Sequence, residues 1–294
     1  MPELPDVTVY LEALQQRIAG ARLEHVQLLN PFLLRTAEPP LASVEGKSII
    51  GLRRVGKRIV IELEGDLFIV VHLMIAGRLH WVEKGAKPRG RNVLAVFEFS
   101  TGAMTLTEAG TRRRASLHVI RGAAGLQALD PGGLDIMTAD LAQFTARLKA
   151  ENHTLKRALT APHLFSGIGN AYSDEILHRA QLSPLAMSVA LSDADTQRLF
   201  EATQATMNEW IERLRNEAAA HFPEKVTAFR EAMAVHGRYG KPCPVCSAPV
   251  QRIVYAENEV NYCARCQTGG KILADRALSR LLKKSWPRNI DDLE

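Results

Sequence analysis

The sequence predicts an α+β protein: an N-terminal β-sandwich led by a helix, followed by a helical domain that ends in a metal-bound β-hairpin. Three observations carry this. Short β-branched and apolar runs concentrate between residues 58 and 120. Helical periodicity takes over after the turn-rich Asp130-Pro131-Gly132-Gly133. All four cysteines fall in two close pairs between Cys243 and Cys266.

In chain order, residues 7–18 place Val7, Tyr10, Leu11, Leu14 and Ile18 at helical spacing, with Gly20 as a stop. Residues 58–64 alternate, with Ile59, Ile61 and Leu63 on one face, and residues 67–74, 92–99, 103–107 and 115–120 also read as strands. Strands this short and numerous fit a sandwich or barrel. Beyond the turn at 130–133, helices are expected over 138–150 with Thr138 as N-cap, then 154–161, 171–180, 193–220 and 223–235. A basic tail containing Arg276, Arg280, Lys283, Lys284 and Arg288 closes the chain. The expected division is 1–132, 133–240, 241–268 and 269–294.

At 294 residues and 46% hydrophobic content, the chain can bury two modest cores, and 23% charge does not read as disorder. Lys and Arg outnumber Asp and Glu by 37 to 32, a net +5 that admits an acidic partner without singling one out. The first six residues hold acids and prolines where a secretory signal would be basic and then apolar. The longest apolar run, 67–77, is interrupted by His72 and too short to cross a membrane. A soluble, cytoplasmic protein is expected.

Cys243-Pro-Val-Cys246 and Cys263-Ala-Arg-Cys266 are separated by sixteen residues. Each pair sets two thiolates on one tight turn, and together they close a tetrahedral zinc site with no open position. One structural Zn2+ held by Cys243, Cys246, Cys263 and Cys266 is therefore expected, with Val250, Ile253 and Tyr255 in an intervening hairpin. A zinc ribbon does not specify a function.

Pro2-Glu3 gains interest from its chemistry. Removal of Met1 would leave a secondary α-amine, and α-amines titrate near ~8 whereas lysines titrate near ~10.4. Such an amine is partly unprotonated at neutral pH and can attack a sugar C1′ to form an iminium. Glu3 is placed to act as general acid and base. Alone, Lys57 and Lys156 read as ordinary solvated lysines.

Taken in order, these segments resemble the formamidopyrimidine-DNA glycosylase/endonuclease VIII family over nearly the whole chain. The start Met1-Pro-Glu-Leu-Pro-Asp-Val7, the segment Arg53-Arg-Val-Gly-Lys57 and the run His72-Leu-Met-Ile-Ala-Gly77 are each similar to family motifs. Gly167-Ile-Gly-Asn-Ala-Tyr-Ser-Asp-Glu175 resembles the helix–two-turn–helix signature, with Lys156 fourteen residues before Asn170. The resemblance implies a catalytic β-sandwich at 1–132, a helix–two-turn–helix DNA-binding domain at 133–240, a zinc finger at 241–268 and a basic extension. It implies Pro2 as Schiff-base nucleophile, with Glu3, Asp6 and Lys57 in the catalytic set. It also implies His72, Arg113, Lys156, Gly169, Asn170 and Tyr172 as DNA-binding residues. The expected activity is a base-excision glycosylase with lyase action, working as a monomer on double-stranded DNA with a damaged or abasic site. A non-catalytic damaged-DNA-binding relative is the alternative.

The sequence departs from the family pattern at four points. The intercalating methionine falls at Ile75, or at Met74 by a one-residue shift. The Arg-Phe wedge falls in Arg112-Arg113-Arg114-Ala115, which has no aromatic. Asn258 stands where the zinc hairpin usually has an arginine, and Asp6 replaces a glutamate.

Overall fold

The computed structural model describes residues 1–85, 92–110, 112–219, 221–224, 226–227, 230–255, 258–275, 281 and 287–293. The chain divides into two compact units, Met1–Pro131 with Trp210–Thr227, and Gly132–Glu209 with Ala228–Glu294.

The first unit opens with α1 (Leu4–Ile18), which begins before the apolar periodicity because Glu3 sits at its N-cap. Asp6, in the first turn, accepts the Glu3 N–H at 2.9 Å, and Pro5 is tolerated where no amide is needed. Eight strands follow: β1 (Leu23–Leu28), β2 (Ile49–Val55), β3 (Arg58–Leu63), β4 (Leu67–His72), β5 (Gly77–Glu83), β6 (Val93–Phe99), β7 (Gly102–Glu108) and β8 (Ser116–Arg121). They form two antiparallel sheets, in orders β1-β6-β7-β5 and β2-β3-β4-β8. Ile59, Ile61, Ile69, Val71 and Leu117 of one sheet share a core with Phe97, Phe99, Met104 and Leu106 of the other, and with Tyr10 and Leu14 of α1. This is the expected sandwich. Val60, Phe68 and Val70 point to the opposite face, where Leu126 of α2 (Ala123–Gln127) covers them. β3 and β4 are thus buried on both faces, which explains their nearly continuous apolar runs.

The helices of the second unit are α3 (Leu141–Lys149), α4 (Leu155–Thr160), α5 (Asn170–Arg179) and α6 (Asp193–Ala218), the last continuing into residues grouped with the first unit. Phe144 packs on Phe165 and Phe200, with ring centroids 5.0 and 5.3 Å away. The cysteine module carries β9 (Gln251–Tyr255) paired antiparallel with β10 (Asn258–Tyr262), then α7 (Ala264–Thr268). Val235, Val250, Ile253, Val260, Tyr262 and Ile290 form its core. Among the described residues, no helix is long and apolar enough to cross a membrane.

Three expectations about elements are corrected. The N-cap of α3 is Asp140, whose side chain takes the Gln143 N–H in a capping box; Thr138 donates instead to the Asp135 carbonyl. The strand expected over 67–74 stops at His72, because Leu73 begins a tight turn. No helix forms among the described residues of 223–235. There the amides of Ala234 and Val235, together with His236, donate to the Glu175 carboxylate, which replaces the i−4 carbonyls a helix would use. Of the basic tail, Arg276, Arg280, Lys283 and Lys284 lie outside the described residues. Arg288 is described, and its carbonyl accepts the Ile272 N–H.

Candidate functional site

In the first unit, the start of α1 gathers charge around the chain's amine. Pro2, Glu3 and Asp6 are buried. Burial holds the Met1 amino group below its ordinary value; Glu3 pulls it up, Arg78 pushes it down, and Asp6 and Lys57 act more weakly in those same two senses. These four side chains therefore lie within electrostatic range of one amine. Lys57 occupies the turn between β2 and β3, after Gly56 in the left-handed region at φ 60°. Arg78 was not expected. Its only sequence signal is its position immediately after the Gly77 turn.

His72 ends β4, opposite Arg58 on β3 and Ser116 on β8. Burial, reinforced by Arg58, Lys57 and His118, pushes it down to about 4, so the ring is neutral at neutral pH. The chain then turns sharply. Gly77 N–H donates to the Leu73 carbonyl at 2.9 Å, and a Cβ on Gly77 would come within 2.3 Å of that oxygen. Ile75 projects from this turn with 55% of its surface exposed, while Met74 is half-buried with a left-handed φ of 52°. Arg78 braces the turn by donating to the Gly77 carbonyl at 2.6 Å. Beyond β7, the buried Glu108 carboxylate accepts the Arg114 and Ala115 amides at 2.9 and 3.0 Å, and Arg112, Arg113 and Arg114 are exposed.

In the second unit, Gly167 takes φ 84° in the turn that leads into α5, a conformation that favours glycine. Gly169 is the N-cap and Asn170 the first helical residue. The Asn170 side-chain amide donates to the Glu259 carbonyl on β10 at 3.0 Å. Lys156 is 8% exposed, and its ammonium lies 2.5 Å from Asp174 and 2.6 Å from the Asn170 carbonyl. Tyr172 is buried in the core. Lys156 on α4 and Tyr172 on α5, both expected to bind DNA, are buried in this structure. Asp174 also receives His236 Nδ1 at 2.8 Å and the Asn261 amide at 3.4 Å. The sequence reading missed Asp174, Glu175, His236 and Asn261. Two adjacent acids in an otherwise buried helix were the available signal.

The thiol sulfurs of Cys243, Cys246, Cys263 and Cys266 lie within 4.8 Å of one another. Zn–S bonds near 2.3 Å give tetrahedral S···S edges of about 3.8 Å, so this donor set fits one zinc ion. Burial and the neighbouring thiols push Cys263 up to about 11 and raise Cys266 as well. Sulfurs so crowded resist ionising together, and a bound cation reverses that by stabilising the thiolates. His178 of α5 places Nε2 3.2 Å from Cys243 Sγ. The Asn258 backbone belongs to β10, but its side chain lies outside the described residues.

Comparison with known proteins adds to this geometry. Residues 1–117 match a formamidopyrimidine-DNA glycosylase N-terminal domain, 130–220 a formamidopyrimidine-DNA glycosylase H2TH domain, and 240–269 a zinc finger found in FPG and IleRS. The formamidopyrimidine-DNA glycosylase of Heliobacterium modesticaldum is 30% identical over 284 residues, covering 91% of this chain and 100% of that protein. A formamidopyrimidine-DNA glycosylase-like protein of Mycobacterium tuberculosis is 42% identical over 157 residues, covering 53% of this chain and 96% of its own. Wild-type Lactococcus lactis FPG (MutM), solved with an oxidized-pyrimidine-containing DNA, aligns at a TM-score of 0.79 and 25% identity, covering 91% of this chain and 100% of that one.

Proposed function

Because the chain belongs to the formamidopyrimidine-DNA glycosylase family, we propose that it removes a damaged or modified base from DNA and then cleaves the strand, with Pro2 as nucleophile. The observation that carries this reading is the amine cluster: Glu3, Asp6, Lys57 and Arg78 all act on a half-buried chain terminus. Once Met1 is removed, the Pro2 nitrogen becomes the terminal amine. An α-amine titrates near ~8, so a fraction of a Pro2 terminal amine has its lone pair available near pH 7, and burial of the kind that lowers the Met1 amine would enlarge that fraction.

The nitrogen attacks C1′ of the deoxyribose, the bond from C1′ to the base breaks with the electron pair leaving on the base, and the departing base takes up the proton that the Pro2 nitrogen loses. Glu3 protonates the ring oxygen as the sugar opens, giving an iminium between Pro2 and C1′. The iminium acidifies the C2′ proton. Its removal by the Glu3 carboxylate, ionised once it has protonated the ring oxygen, expels the 3′ phosphate by β-elimination, and water then hydrolyses the iminium to free the amine. Asp6 fixes Glu3 through the 2.9 Å bond to its amide. Lys57, His72 and Arg113 serve phosphates on the first unit. On the second, Gly169 and Asn170 form a phosphate-binding turn that Lys156 and Tyr172 order from beneath. The cysteine set, when it holds zinc, fixes the hairpin as a structural element.

The partner is double-stranded DNA with a damaged or abasic site, bound by a monomer in the cytoplasm. The Lactococcus lactis relative, whose solved complex contains an oxidized-pyrimidine DNA, supports this class of partner.

Borohydride trapping on abasic-site duplex, with mass mapping of the adduct, tests the reading. A crosslink on Pro2, and loss of most trapping in Pro2→Gly, are expected. Cleavage by Pro2→Gly at the wild-type rate would remove Pro2 as nucleophile. DNA binding without any crosslink would leave a non-catalytic DNA-binding relative.

A further inference from the structure

Helix α5 meets the cysteine module along a single polar face. Asn170, Asp174 and His178 recur every fourth residue, so they stack along one side of the helix. Each makes one contact to the module. The Asn170 amide donates to the Glu259 carbonyl at 3.0 Å, the Asn261 amide reaches Asp174 at 3.4 Å, and His178 Nε2 lies 3.2 Å from Cys243 Sγ. The third differs in kind, because its sulfur belongs to the four-cysteine cluster.

We propose that His178 is a positioning residue for the metal centre. Its Nε2–H donates to the Cys243 thiolate, holds that sulfur at the metal, and ties zinc retention to the order of α5. The inference rests on the zinc reading of the cysteine cluster. A metal-bound thiolate carries no proton, so the imidazole must be the donor, and this fixes the tautomer. His178 is 6% exposed and Cys243 2% exposed, so water does not compete for the contact. A hydrogen bond to a bound sulfur withdraws charge from it, which disfavours its protonation and departure from the metal.

The consequence reaches the other end of the helix. Asn170 and the left-handed Gly167 shape the turn assigned above to phosphate binding, two helical turns from His178 along the same face. Losing the His178 contact therefore loosens the end of the polar seam that joins this turn to the hairpin.

The test uses the full zinc-loaded chain as wild type, His178→Leu and His178→Gln. Leu fills the space without a donor, whereas the Gln amide offers an N–H at similar reach. Two quantities are measured: the rate at which zinc passes to 4-(2-pyridylazo)resorcinol, and the energy of the sulfur-to-cobalt charge-transfer band after cobalt substitution. Loss of such an outer contact weakens metal binding by about 10- to 100-fold. His178→Leu is therefore expected to release zinc at least about tenfold faster, with its cobalt band shifted to lower energy, while His178→Gln stays near wild type. Equal release rates and band positions in loaded wild type and His178→Leu would overturn the proposal. A wild-type chain that takes up neither zinc nor cobalt would overturn the four-cysteine reading itself. If His178→Leu does not fold, His178→Asn replaces it. Its shorter amide falls short of the sulfur, so it must lose zinc about tenfold faster than His178→Gln, and equal rates overturn the proposal.

Discussion

Lys156 and Asp174 form a buried ion pair, with Nζ 2.5 Å from Oδ1 and the same ammonium 2.6 Å from the Asn170 carbonyl. A lysine held this way supports from beneath the turn proposed to bind phosphate. Lys156→Met leaves the Asp174 carboxylate buried without its cation, a change that costs about 3–5 kcal/mol of stability. An exposed phosphate ligand, when removed, would flatten the dependence of log K on log salt by about one unit. The expected result in urea unfolding and salt-titrated DNA binding is therefore lower stability with an unchanged salt slope. A flatter slope at wild-type stability would instead make Lys156 a direct phosphate ligand.

Much of this architecture is legible in the sequence, and the losses have physical causes. β3 announces itself because Ile59, Ile61 and Leu63 alternate into one core. β1, β2 and β5 do not. β1 and β2 carry register irregularities between Leu23 and His25 and between Ile49 and Gly51, and β5 follows a turn so tight that its glycine reads as loop. The segment after α6 has helical spacing, yet it spends Phe222 and Val226 on the first unit's core and its later amides on Glu175. The cysteine site was readable because its spacing is local. The Asp174–His236 contact spans sixty-two positions, and no local pattern encodes it. The resemblance implies Lys156 and Tyr172 as DNA-binding residues, and their burial follows from packing between α4 and α5 that no local pattern encodes.

His72 supplies a pH test. Its folded value is about 4 against an ordinary 6.5, lowered by burial and by Arg58, Lys57 and His118. His118 is lowered as well, by burial and by Arg58 and Arg35. Between pH 6.5 and about 4, the unfolded chain binds a proton at His72 that the folded chain refuses. Stability is thus fully present above 6.5, falls as pH drops through this window, and levels off below it. Part of the ring reaches solvent, so the His72 contribution is of the order of 1–3 kcal/mol. His72→Asn should shrink the stability difference between pH 7 and pH 5 measured by urea unfolding. An unchanged difference would mean that the ring is solvated and free to titrate normally.

Under the proposed function, Ile75 is the expected wedge into the base stack. It is 55% exposed at the tip of the turn closed by Gly77 and Leu73, whereas Met74 beside it is half-buried on left-handed backbone. A wedge acts by filling the gap that an extruded base leaves, and unstacking costs a few kcal/mol per step. Losing part of that compensation lowers kcat/KM on lesion-bearing duplex by about tenfold, equivalent to about 1.4 kcal/mol. A residue so exposed contributes little to the fold, so Ile75→Ala should hold stability within about 0.5 kcal/mol. Abasic single strands have no partner stack to refill, and their cleavage should change far less. Met74→Ala is the contrast: truncating a half-buried side chain lowers stability and affects both substrates alike. Equal losses on duplex and single strand in Ile75→Ala would remove the wedge assignment, and a duplex-selective loss in Met74→Ala would transfer it one residue back.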